Sequence, residues 1–180
     1  PRMKLGEVLG LKLNLGSRDR SLPGFKNMDC ESHEGVDYVG NVADLSRFEN
    51  ESVDEIMASH ILEHFPHIKT LDVLKEWARV LKRGGILSVA VPNFGRAVEL
   101  YRKAGLINWI QNFLMGDQVY ATAFHYAIFD EQRLREMLLC AGFSEASRVI
   151  VFNNHAPNDC SVQCSDIDGD PVSLNMVAVR

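Results

Sequence analysis

Small and polar residues follow several of the apolar runs in this sequence. They are Gly16, Ser17, Arg18 and Asp19 after the first run, Asp29 and Cys30 after the second, Asn41 and Val42 after the third, Ser59 and His60 after the fourth, and Pro92 and Asn93 after the fifth. In an open parallel sheet, ligands bind beyond the carboxyl ends of the strands, near the point where strand order reverses. These residues therefore indicate a ligand-binding edge, and a histidine there is suited to proton transfer.

Three neighbouring histidines raise the question of a metal site. His60 and His64 are one helical turn apart, and His67 is close by. A metal site needs a further ligand in place, and the pattern is not the HExxH of zinc peptidases. We therefore expect no bound metal. His60 either lines an active site or caps a helix, whereas His64 either shares that role or is a structural residue at a helix end.

Two patterns near the C-terminus resemble metal sites without meeting their requirements. Cys160 and Cys164 lie near His155, but the sequence around them is that of a loop and offers no second cysteine pair. The aspartates of residues 166–170 surround a glycine that falls at the wrong position for a calcium-binding loop. We interpret the whole segment as a polar loop without a metal.

Composition excludes several classes of function. The chain has 180 residues, of which 46% are hydrophobic and 24% charged, and this balance is typical of one globular domain. The net charge of −5 and the scattered basic residues argue against a nucleic-acid partner. No apolar run approaches the roughly 20 residues that span a bilayer, so we expect no membrane partner. Four cysteines without a CxxC pair favour reduced thiols and a cytoplasmic location.

Apolar periodicity predicts alternating strands and helices in the first half of the chain. The predicted strands are Leu11–Leu15, Phe25–Cys30, Val36–Val39, Val53–Ser59 and Ile86–Val91. Between the last two, apolar residues from Ile68 to Leu81 recur at spacings of three and four, which predicts a helix that Gly84 and Gly85 end. Because a strand, a crossover helix and a second strand form a βαβ unit, we expect a mostly parallel sheet.

The second half of the chain continues this alternation. Helices are predicted at 97–104, at 106–114 and from Asp130, as N-cap, to Cys140, closing near Gly142. A set of apolar side chains in the second of these helices could line a pocket, cover the sheet or meet a partner chain; it comprises Trp109, Ile110, Phe113 and Leu114.

Two final strands are predicted at Arg148–Phe152 and Val172–Val179. The residues between them, 153–171, show no helical pattern and no long apolar run, and a plain loop can join antiparallel strands but not parallel ones. We therefore predict that the two strands pair in antiparallel fashion at one end of the sheet.

In their order and spacing, these segments resemble the motifs of class I S-adenosylmethionine-dependent methyltransferases, particularly small bacterial members of the methyltransferase type 11 kind with a shortened first crossover. The segments that carry the resemblance are LKLNLGS at 11–17, LPGFKNMD at 22–29, VGNVADL at 39–45, SVDEIMASHILEH at 52–64 and EWARVLKRGG at 76–85. The resemblance implies a Rossmann-like, doubly wound, mostly parallel α/β sheet with an antiparallel C-terminal strand. It also implies one domain over residues 1–180 with a small helical cap at about 95–128.

The resemblance further implies which residues bind S-adenosylmethionine. The implied cofactor-binding residues are Asn14, Gly16, Ser17, Arg18, Asp29, Cys30, Asn41, Val42 and Ser59. Gly16 would admit the methionine moiety, Asp29 would accept hydrogen bonds from the ribose hydroxyls, and Asn41 with Val42 would contact the adenine. His60 and His125 are the candidate catalytic residues, although His125 could instead be an ordinary loop histidine.

We therefore predict methyl transfer from S-adenosylmethionine to a small-molecule acceptor such as a hydroxyl-bearing or sugar-derived compound. The family usually has a second glycine where this chain has Arg18 and an aspartate where it has Asn41, so the alternative is a non-catalytic binding or scaffold protein with weakened cofactor affinity. A nicotinamide-dependent enzyme would need a GxGxxG loop after the first strand, which this chain lacks. The sequence does not determine the acceptor or the oligomeric state.

Overall fold

The computed structural model describes residues 10–152 and 168–180. The strands are β1 (Leu11–Leu15), β2 (Lys26–Asp29), β3 (Tyr38–Val39), β4 (Val53–Ser59), β5 (Leu81–Pro92), β6 (Glu145–Val149) and β7 (Ser173–Val179). The α-helices are α1 (Thr70–Val80), α2 (Phe94–Ala104), α3 (Ile107–Met115) and α4 (Glu131–Ala141), and a short 3₁₀ helix covers Leu62–His64. The predicted α/β class and the Rossmann-like architecture are confirmed.

The described strands form one sheet of order β3-β2-β1-β4-β5-β7-β6. Strands β1 to β5 pair in parallel, whereas β7 is antiparallel to both β5 and β6. The predicted antiparallel C-terminal pair is therefore confirmed, and β7 lies inside the sheet. Because β1 pairs with β2 on one side and β4 on the other, the strand order reverses at β1, which places a ligand crevice beyond the ends of these strands.

The main core lies on the face of the sheet that packs against helices α1 and α4. Alternate strand residues such as Leu13, Ile56 and Val89 are completely buried there, together with Trp77 from α1 and Leu134 from α4. A second, smaller apolar cluster lies on the opposite face and is formed by Leu22, Met57, Ala90 and Phe152. Burial on both faces explains the continuous apolar character of the central strands.

The prediction that Gly84 and Gly85 end helix α1 was wrong. The helix ends at Val80, and the chain enters β5 directly because Leu81 already pairs with Val53. Gly84 and Gly85 consequently lie within β5, where the register to β4 shifts, and a Cβ at Gly85 would be 2.8 Å from the carbonyl oxygen of Lys82. At the other end, α1 begins at Thr70, which leaves Ile68 outside the helix and 73% exposed.

Strand β6 begins earlier than its apolar residues suggested. It covers Glu145–Val149, whereas Ile150 and Val151 lie beyond it and are exposed. Because β6 is an edge strand with only one buried face, its sequence is polar apart from Ala146 and Val149. The capped helix α4 fits the prediction, since the Asp130 side chain accepts a hydrogen bond from the Arg133 amide and Gly142 follows in the left-handed conformation.

The predicted C-terminal loop lies largely outside the described residues, as do the proposed patterns around His155, Cys160 and Cys164. Of the cysteines that the structure describes, Cys30 and Cys140 are both free and exposed. No helix within the described ranges is long and apolar enough to cross a membrane.

Candidate active site

A cavity of about 880 Å³ opens at the carboxyl ends of the parallel strands, next to the point where the strand order reverses. Nearly all the predicted site residues line it, namely Gly16, Ser17, Arg18, Asp29, Cys30, Asn41, Val42, Ser59, His60 and His125. The size is within the range of about 300–1,000 Å³ that is usual for small-molecule and cofactor sites. The lining residues extend from the loops after β1 and β2 to the segment around His125.

Gly16 forms the tight turn that follows β1 and lines the cavity. Its φ is +70°, and a Cβ at this position would be 2.8 Å from the side chain of Ile61, so a larger residue does not fit. The amides of Gly16 and Ser17 both donate to the carbonyl of Met28, which fixes the turn against β2. The buried Ser17 Oγ has no hydrogen-bond partner, so a polar ligand atom would satisfy it.

The Asp29 carboxylate lies at the end of β2 and holds the neighbouring loops together. One oxygen accepts from the amide of Arg18 at 2.8 Å, and the other accepts from the amide of Glu31 at 3.0 Å. Each carboxylate oxygen has a second lone pair, so the group can still accept hydroxyl hydrogen bonds from a ligand. Burial and the adjacent Asp29 carboxylate raise the pKa of the Cys30 thiol, which therefore lines the cavity as a neutral group.

The segment after β3 provides another wall of the cavity. Asn41 uses its side-chain oxygen to accept from the amide of Ala43, and the carbonyl of the buried Val42 accepts from the indole nitrogen of Trp77. Asn14 is not among the residues that line the cavity. Its side-chain amide donates to Asn27 and to the carbonyl of Arg20, so the structure gives it a role in tying β1 to β2.

His60 is held by partners on both sides of its ring. Its Nδ1 lies 3.1 Å from Glu63 Oε1, and its Nε2 lies 2.8 Å from Ser173 Oγ at the start of β7. An ionised carboxylate can only accept, so Nδ1 carries a proton and donates to Glu63, while Nε2 shares a hydrogen bond with the serine hydroxyl. The φ of His60 is +52°, an unusual value for a non-glycine residue that is consistent with a functional turn.

A cluster of Glu63, His64 and His125 also lines the cavity. The ring centroids of His64 and His125 are 4.7 Å apart, and ligand atoms of the three side chains lie within 4.8 Å of one another. Glu63 is completely buried, and its Oε2 has no hydrogen-bond partner. Burial opposes its ionisation, but the hydrogen bond from His60 and the neighbouring imidazoles outweigh that effect and lower the pKa of the carboxyl.

His125 reaches the cluster because its segment is tied to the 3₁₀ helix. The amides of Tyr126 and Ala127 both donate to the Glu63 carbonyl, and the His125 amide donates to the carbonyl of Met115. Burial lowers the pKa of the His125 imidazole, which favours its neutral form near pH 7. Its Nδ1 is buried and has no hydrogen-bond partner, so it offers a free lone pair.

Sequence reasoning missed several residues that the structure places at the site. The predictions from sequence assign no role to Glu63 and leave the role of His64 open, although the HILEH spacing of residues 60–64 is a signal for both. The residues that line the cavity from the segment after β5 were also unassigned, and they include Asn112, Asp117, Tyr120 and Phe124. They lie beyond any motif, so only the folded chain brings them here.

Replacement of Arg18 by glycine is expected to change the dissociation constant for S-adenosylmethionine by no more than about two-fold. The Arg18 side chain is exposed, and its guanidinium lies over the ring of Tyr120 at 5.9 Å, whereas its contact with Asp29 is made by the backbone amide. Isothermal titration calorimetry measures the constant. Much tighter binding would show that the side chain crowds the cofactor, and much weaker binding would show that it contacts the cofactor carboxylate.

Comparison with known proteins shows that this architecture resembles that of methyltransferases. Residues 8–89 match the family described as "Methyltransferase domain". The fold resembles a S-adenosylmethionine-dependent methyltransferase from Archaeoglobus fulgidus, with a TM-score of 0.62, 13% identity and coverage of 95% of this chain and 86% of that one. The fold also resembles S-adenosylmethionine-dependent methyltransferases from Methanosarcina mazei, with a TM-score of 0.56 and 19% identity. That match covers 93% of this chain and 90% of the other.

A third similar structure contains bound ligands. It is the 1,6-didemethyltoxoflavin-N1-methyltransferase of Burkholderia thailandensis with 1,6-didemethyltoxoflavin and S-adenosylhomocysteine, with a TM-score of 0.56, 15% identity and coverage of 94% of this chain and 70% of that one. No curated protein matches the sequence of this chain.

Proposed function

We propose that this chain, which carries a class I, S-adenosylmethionine-dependent methyltransferase domain, transfers a methyl group to a small-molecule acceptor that bears a hydroxyl group, such as a sugar-derived compound. The observation that carries the proposal is the single cavity that runs from Gly16 and Asp29 to the His60–His125 region. One end has the side chains that a nucleoside cofactor requires, and the other end has imidazoles that can take up a proton.

The residues at the first end fit S-adenosylmethionine. The Gly16 turn leaves room for a close backbone approach, Ser17 offers an unpaired hydroxyl, and Asp29 offers free carboxylate lone pairs. We propose that Arg18, Cys30, Asn41, Val42 and Ser59 complete this part of the lining. When bound, S-adenosylmethionine supplies an electrophilic methyl group for an in-line displacement.

The contacts favour His125 over His60 as the proton acceptor. His60 would have to lose its bond to Ser173 before its Nε2 could accept a proton from a substrate. His125 has a free Nδ1 and a lowered pKa, so it is neutral and able to accept. His60 then acts as a positioning residue, because it orients the carboxylate of Glu63.

The test of the proposed function is a search for the acceptor. The purified protein is incubated with S-adenosylmethionine and a panel of hydroxyl-, amine- and thiol-bearing small molecules, and the release of S-adenosylhomocysteine is measured. Turnover with a hydroxyl acceptor supports the proposal, and turnover confined to other nucleophiles contradicts the acceptor class. No calorimetric signal and no thermal shift at millimolar S-adenosylmethionine would favour the scaffold alternative.

Replacement of His125 by asparagine is expected to lower kcat with a hydroxyl acceptor by about 10²- to 10⁴-fold, the usual contribution of general base catalysis. The dissociation constant for S-adenosylmethionine is expected to change less than about two-fold, since a general base acts on the acceptor. The exposed His67 provides a matched control, and His67→Asn should leave both constants unchanged.

The pH dependence gives an independent readout of the same assignment. Because burial lowers the pKa of His125 below its ordinary value of 6.5, the base is neutral above its folded pKa and is lost as the pH falls through it. The wild-type rate should therefore decline only below pH 6.5, and His125→Asn should lack this acidic limb. A limb that persists in the variant assigns the titration to another group.

We also propose that the chain forms a single domain in which residues of about 95–128 act as a cap over the cavity. Helix α3 and the segment after it supply lining residues such as Phe113 and Tyr120, and Trp109 stacks on Phe113 with ring centroids 4.9 Å apart.

The free thiols of Cys30 and Cys140 support the proposed cytoplasmic location.

A further inference from the structure

Three ligand atoms converge at the end of the cavity that we assign to the acceptor. Glu63, His64 and His125 each offer one ligand atom, and these three atoms lie within 4.8 Å of one another. Two atoms of the cluster, Glu63 Oε2 and His125 Nδ1, are buried without a hydrogen-bond partner. An unpartnered buried polar atom costs about 1–3 kcal/mol, so two in one small cluster call for a ligand.

The opposite atoms of His64 and Glu63 are already bound. His64 Nδ1 lies 3.0 Å from the carbonyl of Phe124, and Glu63 Oε1 lies 3.1 Å from His60 Nδ1. The buried Nδ1 of His125 can bind an ion through its lone pair in the tautomer that carries its proton on Nε2. Metal-binding histidines characteristically donate their second ring nitrogen to a carbonyl or carboxylate, which fixes the tautomer and the ring orientation.

We propose that Glu63, His64 and His125 form a binding site for a divalent transition metal ion of the Zn²⁺ or Fe²⁺ class. Two histidines and one carboxylate are a ligand set that both ions use, with coordination positions left open for a substrate. Ligand atoms around tetrahedral zinc are about 3.4 Å apart, so closure onto an ion needs side-chain shifts of about 1 Å. Ca²⁺ and Mg²⁺ are excluded as preferred ions because they favour oxygen ligands.

The expectation of a metal-free site rested on the lack of a third ligand near His60 and His64. The third ligand is His125, which is remote in sequence and reaches the cluster through the backbone bonds between Tyr126, Ala127 and Glu63. His60, the first histidine of the motif, holds the carboxylate and is not itself a member of the cluster.

A metal ion at this site would also affect methyl transfer, and this consequence rests on the proposed function. All three residues line the cavity, so an acceptor oxygen could occupy an open coordination position of a bound ion. The ion would polarise that oxygen and favour loss of its proton to water, and His125 would then be a ligand in place of a free base. Metal binding itself does not require methyl transfer, so the two proposals can fail separately.

The test is metal binding by the full chain after treatment with EDTA and removal of the chelator. Calorimetry with Zn²⁺ should show one site, the melting temperature should rise, and Co²⁺ should give visible absorption bands that Zn²⁺ abolishes. His125→Ala and His64→Ala should each weaken Zn²⁺ binding by more than about 100-fold, beyond the 10–100-fold that loss of an outer-shell partner costs. Glu63→Gln tests the carboxylate with the least change of shape, and His67→Ala is the matched control that should bind normally.

Equal Zn²⁺ affinity in the wild type, His125→Ala and Glu63→Gln would overturn the proposal, because the ion would then be bound elsewhere. Absence of any binding by folded wild-type protein would overturn it as well. The dissociation constant for S-adenosylmethionine and the release of S-adenosylhomocysteine are measured on the same samples with and without EDTA. Methyl transfer without metal binding would contradict this inference alone, whereas metal binding without any methyl transfer would contradict the proposed function alone.

Discussion

Replacement of Asp29 by alanine is expected to weaken S-adenosylmethionine binding by about 1.5–3 kcal/mol, roughly a 10- to 150-fold rise in the dissociation constant. The expected loss has two physical sources. A charged acceptor for the ribose hydroxyls disappears, and the Arg18 and Glu31 amides lose the carboxylate that holds the cofactor loops in place. Isothermal titration calorimetry with S-adenosylmethionine and with S-adenosylhomocysteine measures the change.

Two further variants separate these sources. Asp29→Asn keeps one acceptor oxygen and most of the shape but removes the charge, so it should lose less affinity than Asp29→Ala. Asp19→Ala removes an exposed carboxylate from the loop after β1 and should leave the affinity unchanged. Unchanged binding by a correctly folded Asp29→Ala protein would remove Asp29 from the cofactor site.

Deletion of residues 172–180 is expected to abolish cooperative folding. Strand β7 lies between β5 and β6, so its loss removes the backbone hydrogen bonds to both strands. One edge of β5 is then left without a partner strand. The side chains of Leu174, Met176 and Ala178 are completely buried in the main core. Circular dichroism and thermal denaturation of the truncated protein should show no two-state transition, and a soluble truncation that melts cooperatively would show that the strand is dispensable.

A single substitution tests the same strand with a smaller change to the structure. Leu174→Ala should lower the free energy of unfolding by about 2–5 kcal/mol, because the side chain is fully buried and a cavity remains. The half-buried Val177 on the opposite face supplies the control, and Val177→Ala should cost clearly less. On the Val177 face of β7, Ser173 and Asn175 are also buried, and Val177 and Val179 are half-buried.

The sequence alone determined the architecture of this protein. Short apolar runs predicted the strands, and apolar residues at spacings of three and four predicted the helices. The N-cap at Asp130 and the glycine at Gly142 predicted the bounds of α4 almost to the residue. The absence of any helical pattern after β6 determined the antiparallel pairing of β7. The polar residues at the strand ends identified the ligand-binding edge, because parallel strands bring their carboxyl ends to the same side of the sheet.

Only the tertiary structure decided the boundaries and the composition of the site. The end of α1 depends on the pairing of Leu81 with Val53, and the extent of β6 depends on its position at the sheet edge, so neither follows from local preference. The role of His60 depends on Ser173, and the cluster of Glu63 and His64 depends on His125. These partners come from distant parts of the chain, and long-range contacts leave no periodic signal in the sequence because they are formed by the packing of the sheet, the helices and the segments that connect them.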